Sequence, residues 1–158
     1  MPLSLVRIDD RLIHGQVVLG WARMLEPDRI IVANDRIAMN PRERKIYSLG
    51  VPSDIKVSFL SLDETTLELL NNLYQSESVI VLFKSVRDIG AIIDKGVQLE
   101  TINVGGLHYR EGAKELLPYV FLTEEDRRIL REFVKKGITL LAQDIPGNAA
   151  KVINSLVV

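Results

Sequence analysis

The chain has 158 residues, 47% of them hydrophobic, which is enough to bury the core of about one domain. Its 20 lysines and arginines nearly balance 21 aspartates and glutamates, so neither nucleic acid nor an anionic membrane surface is favoured as a partner. The absence of cysteine excludes disulfides and thiolate chemistry, and without a secretory signal or an apolar stretch near the roughly 20 residues of a membrane span we expect a cytoplasmic protein.

Short β-branched runs alternate along the chain with segments of helical period. This alternation is typical of a three-layer α/β fold, a mostly parallel twisted sheet of about seven strands with helices on both faces. We predict strands at 3–8, 28–33, 55–60, 78–84, 99–104, 118–122 and 138–143. No repeat or flexible linker divides the chain, so we expect a single domain over residues 1–158.

The helices are predicted from apolar spacing and from capping residues. After the first strand, five residues recur at the spacing of one helix face: Val17, Val18, Trp21, Ala22 and Leu25. Capping patterns at 61–64 and 123–126 predict two later helix starts, and a last short helix is predicted at 148–156. Buried positions are predicted for Trp21 and for a group of leucines, Leu67, Leu69, Leu70 and Leu73. We expect the apolar tail at 153–158 to dock on its own sheet.

The segment VRIDDRLIHGQV, residues 6–17, places charged groups directly after the first strand. Ligands of open parallel sheets bind where loops leave the carboxyl ends of strands, so His14 should stand at that edge beside a helix N-terminus. A neutral imidazole can attack a phosphorus atom while its other nitrogen donates to an acceptor that fixes the tautomer. Asp9 or Asp10 is the candidate acceptor.

The same segment offers groups that can hold a phosphoryl group. Arg11 would spread positive charge over the phosphoryl oxygens, and backbone N–H groups from His14 through Gln16 to Val17 would cradle them. Gly15 would let that backbone approach closely. The plainer interpretation is a turn with an Asp–Arg salt bridge and a histidine that only forms hydrogen bonds.

Two later loops carry weaker signals of the same kind. Lys84 and Ser85 follow a buried strand, where the lysine either reaches solvent or holds a phosphate oxygen. Gly105 and Gly106 either form a tight turn that needs positive φ or bind an anion. His108 is a pocket wall, a partner contact or an ordinary surface histidine.

Taken together, these motifs resemble the IIB component of the mannose, fructose and sorbose family of the bacterial phosphoenolpyruvate-dependent sugar phosphotransferase system. The resemblance covers nearly the whole chain. It is carried by residues 6–17, by Gly20-Trp21, by IIVAND at 30–35, by Lys84-Ser85 and by INVGGLH at 102–108.

The resemblance implies a phosphohistidine relay. His14 would accept a phosphoryl group on Nδ1 from a phosphorylated IIA domain and pass it to a sugar held by the membrane permease subunits IIC and IID, the protein's only link to the membrane. Arg11 would stabilise the phosphate, while Asp9 and Asp10 would organise the loop. The first strand would lie between the fourth and fifth, so that Lys84, Ser85, Gly105, Gly106 and His108 flank His14. We expect no metal and no cofactor.

Three alternatives remain open at this stage. A receiver-like signalling domain would use Asp9 and Asp10 to bind Mg²⁺ and a later aspartate as acceptor, but Asp63 after the third strand is committed to a helix start. A regulatory phosphocarrier would lack a sugar substrate. A nucleotide-binding module is least favoured, because no G-x-G-x-x-G turn follows the first strand.

Overall fold

A computed structural model describes residues 3–158, apart from the side chains of Gln16 and Val17. Within that part the strands are β1 (Leu3–Ile8), β2 (Arg29–Ala33), β3 (Lys56–Leu60), β4 (Val79–Phe83), β5 (Thr101–Val104), β6 (Lys114–Leu117), β7 (Val120–Leu122), β8 (Thr139–Ala142) and β9 (Lys151–Val152). The helices are α1 (Gly15–Leu25), α2 (Asp35–Ala38), α3 (Pro41–Ser48), α4 (Leu62–Leu70), α5 (Val86–Asp94), α6 (Glu124–Lys135) and α7 (Asn154–Val157).

Seven strands form one twisted sheet in the order β3-β2-β4-β1-β5-β8-β9. All neighbouring pairs are parallel except β8 and β9. This confirms the predicted fold class, including the position of β1 between β4 and β5. Since β1 is central, the loop that follows it has a neighbouring loop on each side.

The two faces of the sheet have separate cores. Along β2, Ile31 and Ala33 face one core while Ile30 and Val32 face the other, as the two-residue period of a strand requires. Apolar residues of α1, α2 and α3 pack on one face, and those of α4, α5, α6 and α7 on the other. None of the helices in residues 3–158 has the length and apolar character that crossing a bilayer requires.

Both predicted capping boxes are confirmed. At the start of α4, Ser61 accepts a hydrogen bond from the Glu64 N–H while the Glu64 carboxylate accepts one from the Ser61 N–H. Thr123 and Asp126 form the same pair at the start of α6. Such a cap stabilises a helix by about 1 kcal/mol, so these two boundaries follow from local chemistry alone.

Two predictions about the C-terminal half are wrong. The strand at 118–122 is β7, which forms a separate hairpin with β6 rather than joining the main sheet. The predicted helix at 148–156 is β9 followed by α7, because this segment pairs antiparallel with the open edge of β8. The tail nevertheless docks as expected, with Ile153 and Val157 fully buried.

The leucine group is buried only in part. Trp21 and Leu69 are buried, as predicted, whereas three leucines are exposed: Leu67, Leu70 and Leu73. The buried face of α4 is formed by Leu69 with Thr65 and Thr66, so the remaining leucines point to solvent. On α1, Val18 and Ala22 are buried as predicted; the side chain of Val17 lies outside the described part.

Candidate active site

Three loops meet at the carboxyl edge of the sheet. The Asp9 N–H donates to the carbonyl of Phe83 at the end of β4, at 2.9 Å. The Asp10 N–H donates to the Gly106 carbonyl, also at 2.9 Å, and the Gly105 N–H donates to the Ile8 carbonyl at 2.7 Å. The loop after β1 is therefore fastened to the loops after β4 and β5, as the predicted site requires.

Asp9 is the centre of this site, and its side chain is only 1% exposed. Oδ1 accepts hydrogen bonds from the backbone N–H and from Nε of Arg11, at 3.1 and 3.0 Å. Oδ2 accepts from Arg11 Nη2 and from Arg7 Nη2, both at 3.0 Å, and from the Gly106 N–H at 3.2 Å. One buried carboxylate thus holds two guanidinium groups, which leaves this cluster with a net positive charge.

The surroundings of Asp9 hold its pKa well below the usual range for an aspartate. Burial acts in the opposite direction, because it disfavours the charged form. The adjacent His14 ring and the guanidinium groups of Arg11 and Arg7 outweigh burial. Asp9 is therefore an anion at neutral pH and keeps both arginines in place.

His14 is the residue that immediately precedes α1, and its backbone is extended, with φ −151° and ψ 133°. Its Nε2 atom is buried and lies 3.7 Å from Asp9 Oδ2, just beyond hydrogen-bond distance. The ring as a whole is 24% exposed, so its exposed part lies away from Nε2. Of the two candidate acceptors, Asp9 faces the ring, which leaves Nδ1 as the nitrogen that a reaction partner can reach.

Two apolar side chains anchor the loop between Arg11 and His14. Leu12 and Ile13 are buried in the same core as Trp21. Leu12 adopts φ +56°, an uncommon conformation for a residue other than glycine. Because these two side chains turn inward, Arg11 remains 38% exposed at the surface and His14 stays beside it.

Asp10 contacts the second histidine rather than His14. It accepts a hydrogen bond from the His108 N–H at 2.7 Å, and its Oδ1 lies 2.7 Å from His108 Nδ1. The interpretation of Asp10 as the acceptor for His14 is therefore wrong. Asp10 and His108 instead join the loops after β1 and β5, while the His108 side chain remains 65% exposed.

Gly105 and Gly106 are needed because two arginines lie against them. Neither has positive φ, so the tight-turn interpretation is wrong. A Cβ at Gly105 would collide with the Arg7 guanidinium, and one at Gly106 would lie 2.9 Å from Arg11 Nη2. At Gly15 the reason for glycine is the backbone and not the space around it. A Cβ there would meet open space, but the φ of +27° favours glycine.

The remaining predicted residues lie on the rim of the site. Ser85 precedes α5 and accepts a hydrogen bond from the Asp88 N–H at 3.1 Å, so its first role is as a helix cap. Lys84 is half-buried and, within residues 3–158, has no carboxylate within 4 Å. The backbone of Gln16 and Val17 lies in the first turn of α1, where N–H groups lack acceptors within the helix.

Arg7 is a part of the site that the sequence reasoning missed. It lies inside β1, is 1% exposed, and pairs in register with Asn103 of β5, whose side chain it contacts. It also donates to the carbonyls of Gln143 and Asp144, both at 2.8 Å. The available signal was a charged residue in the middle of a central apolar strand, because such a residue must have buried partners.

No group of three or more His, Cys, Asp or Glu side chains in the described part of the chain is arranged to hold a metal ion. Both carboxylates after β1 are instead engaged by cations or by a histidine. Arg11 uses Nε and Nη2 on Asp9, and its Nη1 has no hydrogen-bond partner among the described residues. The site is therefore a cationic edge next to an imidazole.

Comparison with known proteins agrees with this geometry. Residues 3–158 match the sequence model of the family described as the PTS system sorbose subfamily IIB component. The sorbose-specific EIIB component of Klebsiella pneumoniae is 37% identical over 89% of this chain and 85% of its own length. The fructose-specific EIIB component of Bacillus subtilis is 31% identical over 96% of this chain and 93% of its own.

A solved structure gives the same result at the level of the fold. The IIB domain of the sorbose permease from Klebsiella pneumoniae superposes with a TM-score of 0.90 at 34% identity, covering 98% of this chain and 95% of that domain. A family match over nearly all residues and a shared fold lead to one assignment. The chain belongs to the sorbose subfamily of phosphotransferase-system IIB components.

Proposed function

We propose that the chain carries a phosphoryl group on Nδ1 of His14, taking it from a phosphorylated IIA domain and passing it to a sugar during uptake. IIB components act as phosphotransferases in sugar phosphorylation, together with IIA and membrane components. The observation that carries the proposal is the orientation of the His14 ring. Since Nε2 is buried against Asp9, only Nδ1 is available to attack a phosphorus atom.

The proposed chemistry has two displacement steps. In the first, the Nδ1 lone pair of His14 forms a bond to phosphorus as the P–N bond of the donor phosphohistidine breaks, and its electron pair returns to the donor ring. In the second, a sugar hydroxyl oxygen attacks phosphorus, the bond to Nδ1 breaks, and the hydroxyl proton is released. Asp9 keeps the ring oriented by facing Nε2, at which the neutral ring carries its proton.

Arg11 and the start of α1 would stabilise the transferring group. Phosphoryl transfer has little covalent chemistry for the protein to perform, so positioning and charge stabilisation dominate. Asp9 fixes the inner edge of the Arg11 guanidinium, which leaves Nη1 free to bind a phosphoryl oxygen. The N–H groups of Gly15, Gln16 and Val17 at the helix N-terminus would bind the others.

The other predicted residues have supporting roles in this proposal. Lys84 adds a positive charge at the edge of the neighbouring loop, and Ser85 holds the start of α5. Asp10 and His108 fasten the loop after β5, and Gly105 and Gly106 leave space for the arginines. No step needs a metal or cofactor. The corresponding enzyme class is a protein-Nπ-phosphohistidine–sugar phosphotransferase, a single cytoplasmic domain working with IIC and IID.

The contacts of the two aspartates argue against a receiver-like alternative. A receiver needs open carboxylates to bind Mg²⁺, but Asp9 is held by two arginines and Asp10 by His108. Asp63, the aspartate after the third strand that a receiver would need as acceptor, lies in the first turn of α4 and pairs with Lys95. The regulatory alternative, a carrier without a sugar, uses the same site and is separated from our proposal by experiment.

The test is phosphate labelling of wild type and of single-histidine variants. We would supply ³²P-phosphoenolpyruvate, enzyme I, the phosphocarrier protein and the IIA protein of the Klebsiella pneumoniae sorbose system. His14→Ala should lose all label with an unchanged melting temperature, because His14 lies outside both cores. His108→Ala, which removes the other histidine, should keep it.

Three outcomes would count against the proposal. Retained label in His14→Ala excludes His14 as acceptor, and a linkage that is cleaved by base would favour an acyl phosphate, because phosphohistidine is stable in base. If the label stays on the protein when membranes containing a sorbose-family permease and sugar are added, the regulatory alternative is favoured.

A further inference from the structure

The segment from α2 to the end of α3 carries unusually exposed apolar side chains. Met39 is 85% exposed, Leu49 is 81% exposed and Ile46 is 60% exposed. Helix α3 has no fully buried residue, so it contributes little to the core for its length. We call these three residues the α3 patch. Large apolar side chains grouped on one surface segment are typical of interaction sites.

The α3 patch lies at the His14 edge of the sheet. The segment follows β2 at its carboxyl end, and Ile37 and Tyr47 pack in the same core as Leu12 and Ile13. At the end of α3, a Cβ on Gly50 would lie 3.3 Å from Ile13 Cγ2. Because Ile13 is the neighbour of His14, the end of α3 packs directly against the loop that carries His14.

Charge indicates what kind of surface the patch fits. Residues 35–50 carry four cations against two anions, a net charge of +2 in a chain whose total is -1: Arg36, Arg42, Arg44 and Lys45 against Asp35 and Glu43. This segment contains a single ion pair, between Arg36 and Glu43 at 2.6 Å, so the other three cations have no carboxylate partner within it. An apolar centre with a basic rim complements a protein face with an apolar centre and acidic rim.

We propose that the α3 patch is the docking surface for the protein that donates the phosphoryl group to His14. The inference rests on the proposed function and extends it. The patch lies at the edge of the sheet that carries His14, so a donor docked there holds its phosphohistidine near His14. A second copy or a lipid surface on the patch would deliver no phosphoryl group. A transient contact of this kind suits a small apolar centre inside a charged rim.

The test compares two matched double variants. Met39→Ser with Leu49→Ser removes the most exposed members of the α3 patch. Leu67→Ser with Leu73→Ser removes two other exposed leucines, which are 61% and 60% exposed, from α4 and the turn after it on the opposite face of the sheet. The rate of label transfer to His14 is measured against the concentration of phosphorylated sorbose-system IIA protein.

We expect the α3-patch variant to raise the KM for the phosphorylated donor about tenfold, since truncating central interface residues commonly costs that factor in affinity. The maximum rate should stay within about twofold of wild type, as should both constants of the α4 variant. An unchanged KM in the α3-patch variant overturns the inference. So does a patch-dependent dimer in sedimentation, or patch-dependent flotation with phosphatidylglycerol vesicles. Failure of wild type to accept label would instead count against the proposed function.

Discussion

At the scale of single residues, Asp9 connects the structural and chemical parts of the site. It binds Arg7, which fastens β1 to β5 and to the segment after β8, and it binds Arg11, which faces solvent. Its third neighbour is His14. Removing one partner of a buried ion pair commonly costs about 3–5 kcal/mol, because the other charge is left uncompensated. The position of Arg11 therefore depends on a buried anion.

Arg11→Lys tests whether the planar guanidinium is needed. A lysine keeps the charge but cannot span both oxygens of Asp9 while presenting another N–H to phosphate. We expect the rate of transfer to His14 to fall about tenfold, roughly 1.4 kcal/mol in the barrier, with an unchanged melting temperature. Arg128→Lys, an exposed arginine on α6, is the control. Equal rates in wild type and Arg11→Lys would remove Arg11 from the mechanism.

At the scale of elements, the loop after β5 is shaped around two arginines. Gly105 lies against the buried Arg7, and Gly106 lies against the more exposed Arg11. The hairpin of β6 and β7 supports this loop, because the Leu107 N–H donates to the Tyr119 carbonyl at 2.9 Å. A side chain added to either glycine must displace an arginine, but the two arginines differ in their freedom to move.

Alanine at these two glycines should therefore have different effects. Gly106→Ala should slow phosphoryl transfer severalfold with little loss of stability, because the flexible end of Arg11 can move away from Asp9. Gly105→Ala should lower the free energy of unfolding by more than about 2 kcal/mol, since Arg7 is confined.

Urea unfolding and transfer rates of both variants check this pair of predictions. Gly147→Ala is the control, because a Cβ there meets nothing within 4 Å. Full activity in Gly106→Ala would contradict the arrangement of Arg11 described above.

At the scale of the whole molecule, the loops of the site lie at one edge of the parallel sheet, and two apolar cores stabilise the sheet and its helices. This division means that Asp9 contributes to folding as well as to the site. Its folded pKa is depressed relative to about 3.9 in an unfolded chain. Asp9 therefore contributes stability above about pH 4, and that contribution is lost as the pH falls from there toward its folded pKa.

Comparison of wild type with Asp9→Asn tests this linkage. At pH 7 we expect the variant to be about 3 kcal/mol less stable, because Arg7 loses its buried counterion. The difference should shrink as the pH is lowered from 5 to 2. Urea unfolding followed by the fluorescence of Trp21 gives the free energies, and Asp54→Asn removes an exposed charge as control. A difference that stays constant down to pH 2 would contradict the burial of a charged Asp9.

The features that could be predicted from the sequence are those that hydrogen bonds and packing between nearby residues determine. Ser61 and Thr123 fix helix starts through hydrogen bonds to nearby residues, so their roles were predicted correctly. The role of Arg7 depends on Asn103 and on Gln143 after β8, which are 96 and 136 residues away in sequence. The segment at 148–156, predicted as a helix, contains β9 because it pairs with the open edge of β8. Local residue spacing does not reveal that edge.

The site was predicted in outline for the same reason. The position of His14 after β1 follows from the local pattern, whereas the choice between Asp9 and Asp10 as its neighbour does not. That choice is made by His108 on another loop, which binds Asp10 and leaves Asp9 to face His14.

The most direct measurement of the central claim is ³¹P and ¹⁵N NMR of the phosphorylated protein with its histidines ¹⁵N-labelled. Because Nε2 of His14 is buried against Asp9, we predict phosphorus coupled to Nδ1 of His14, and no such signal in His14→Ala. A phosphoryl group on Nε2, or on any other residue, would contradict the account.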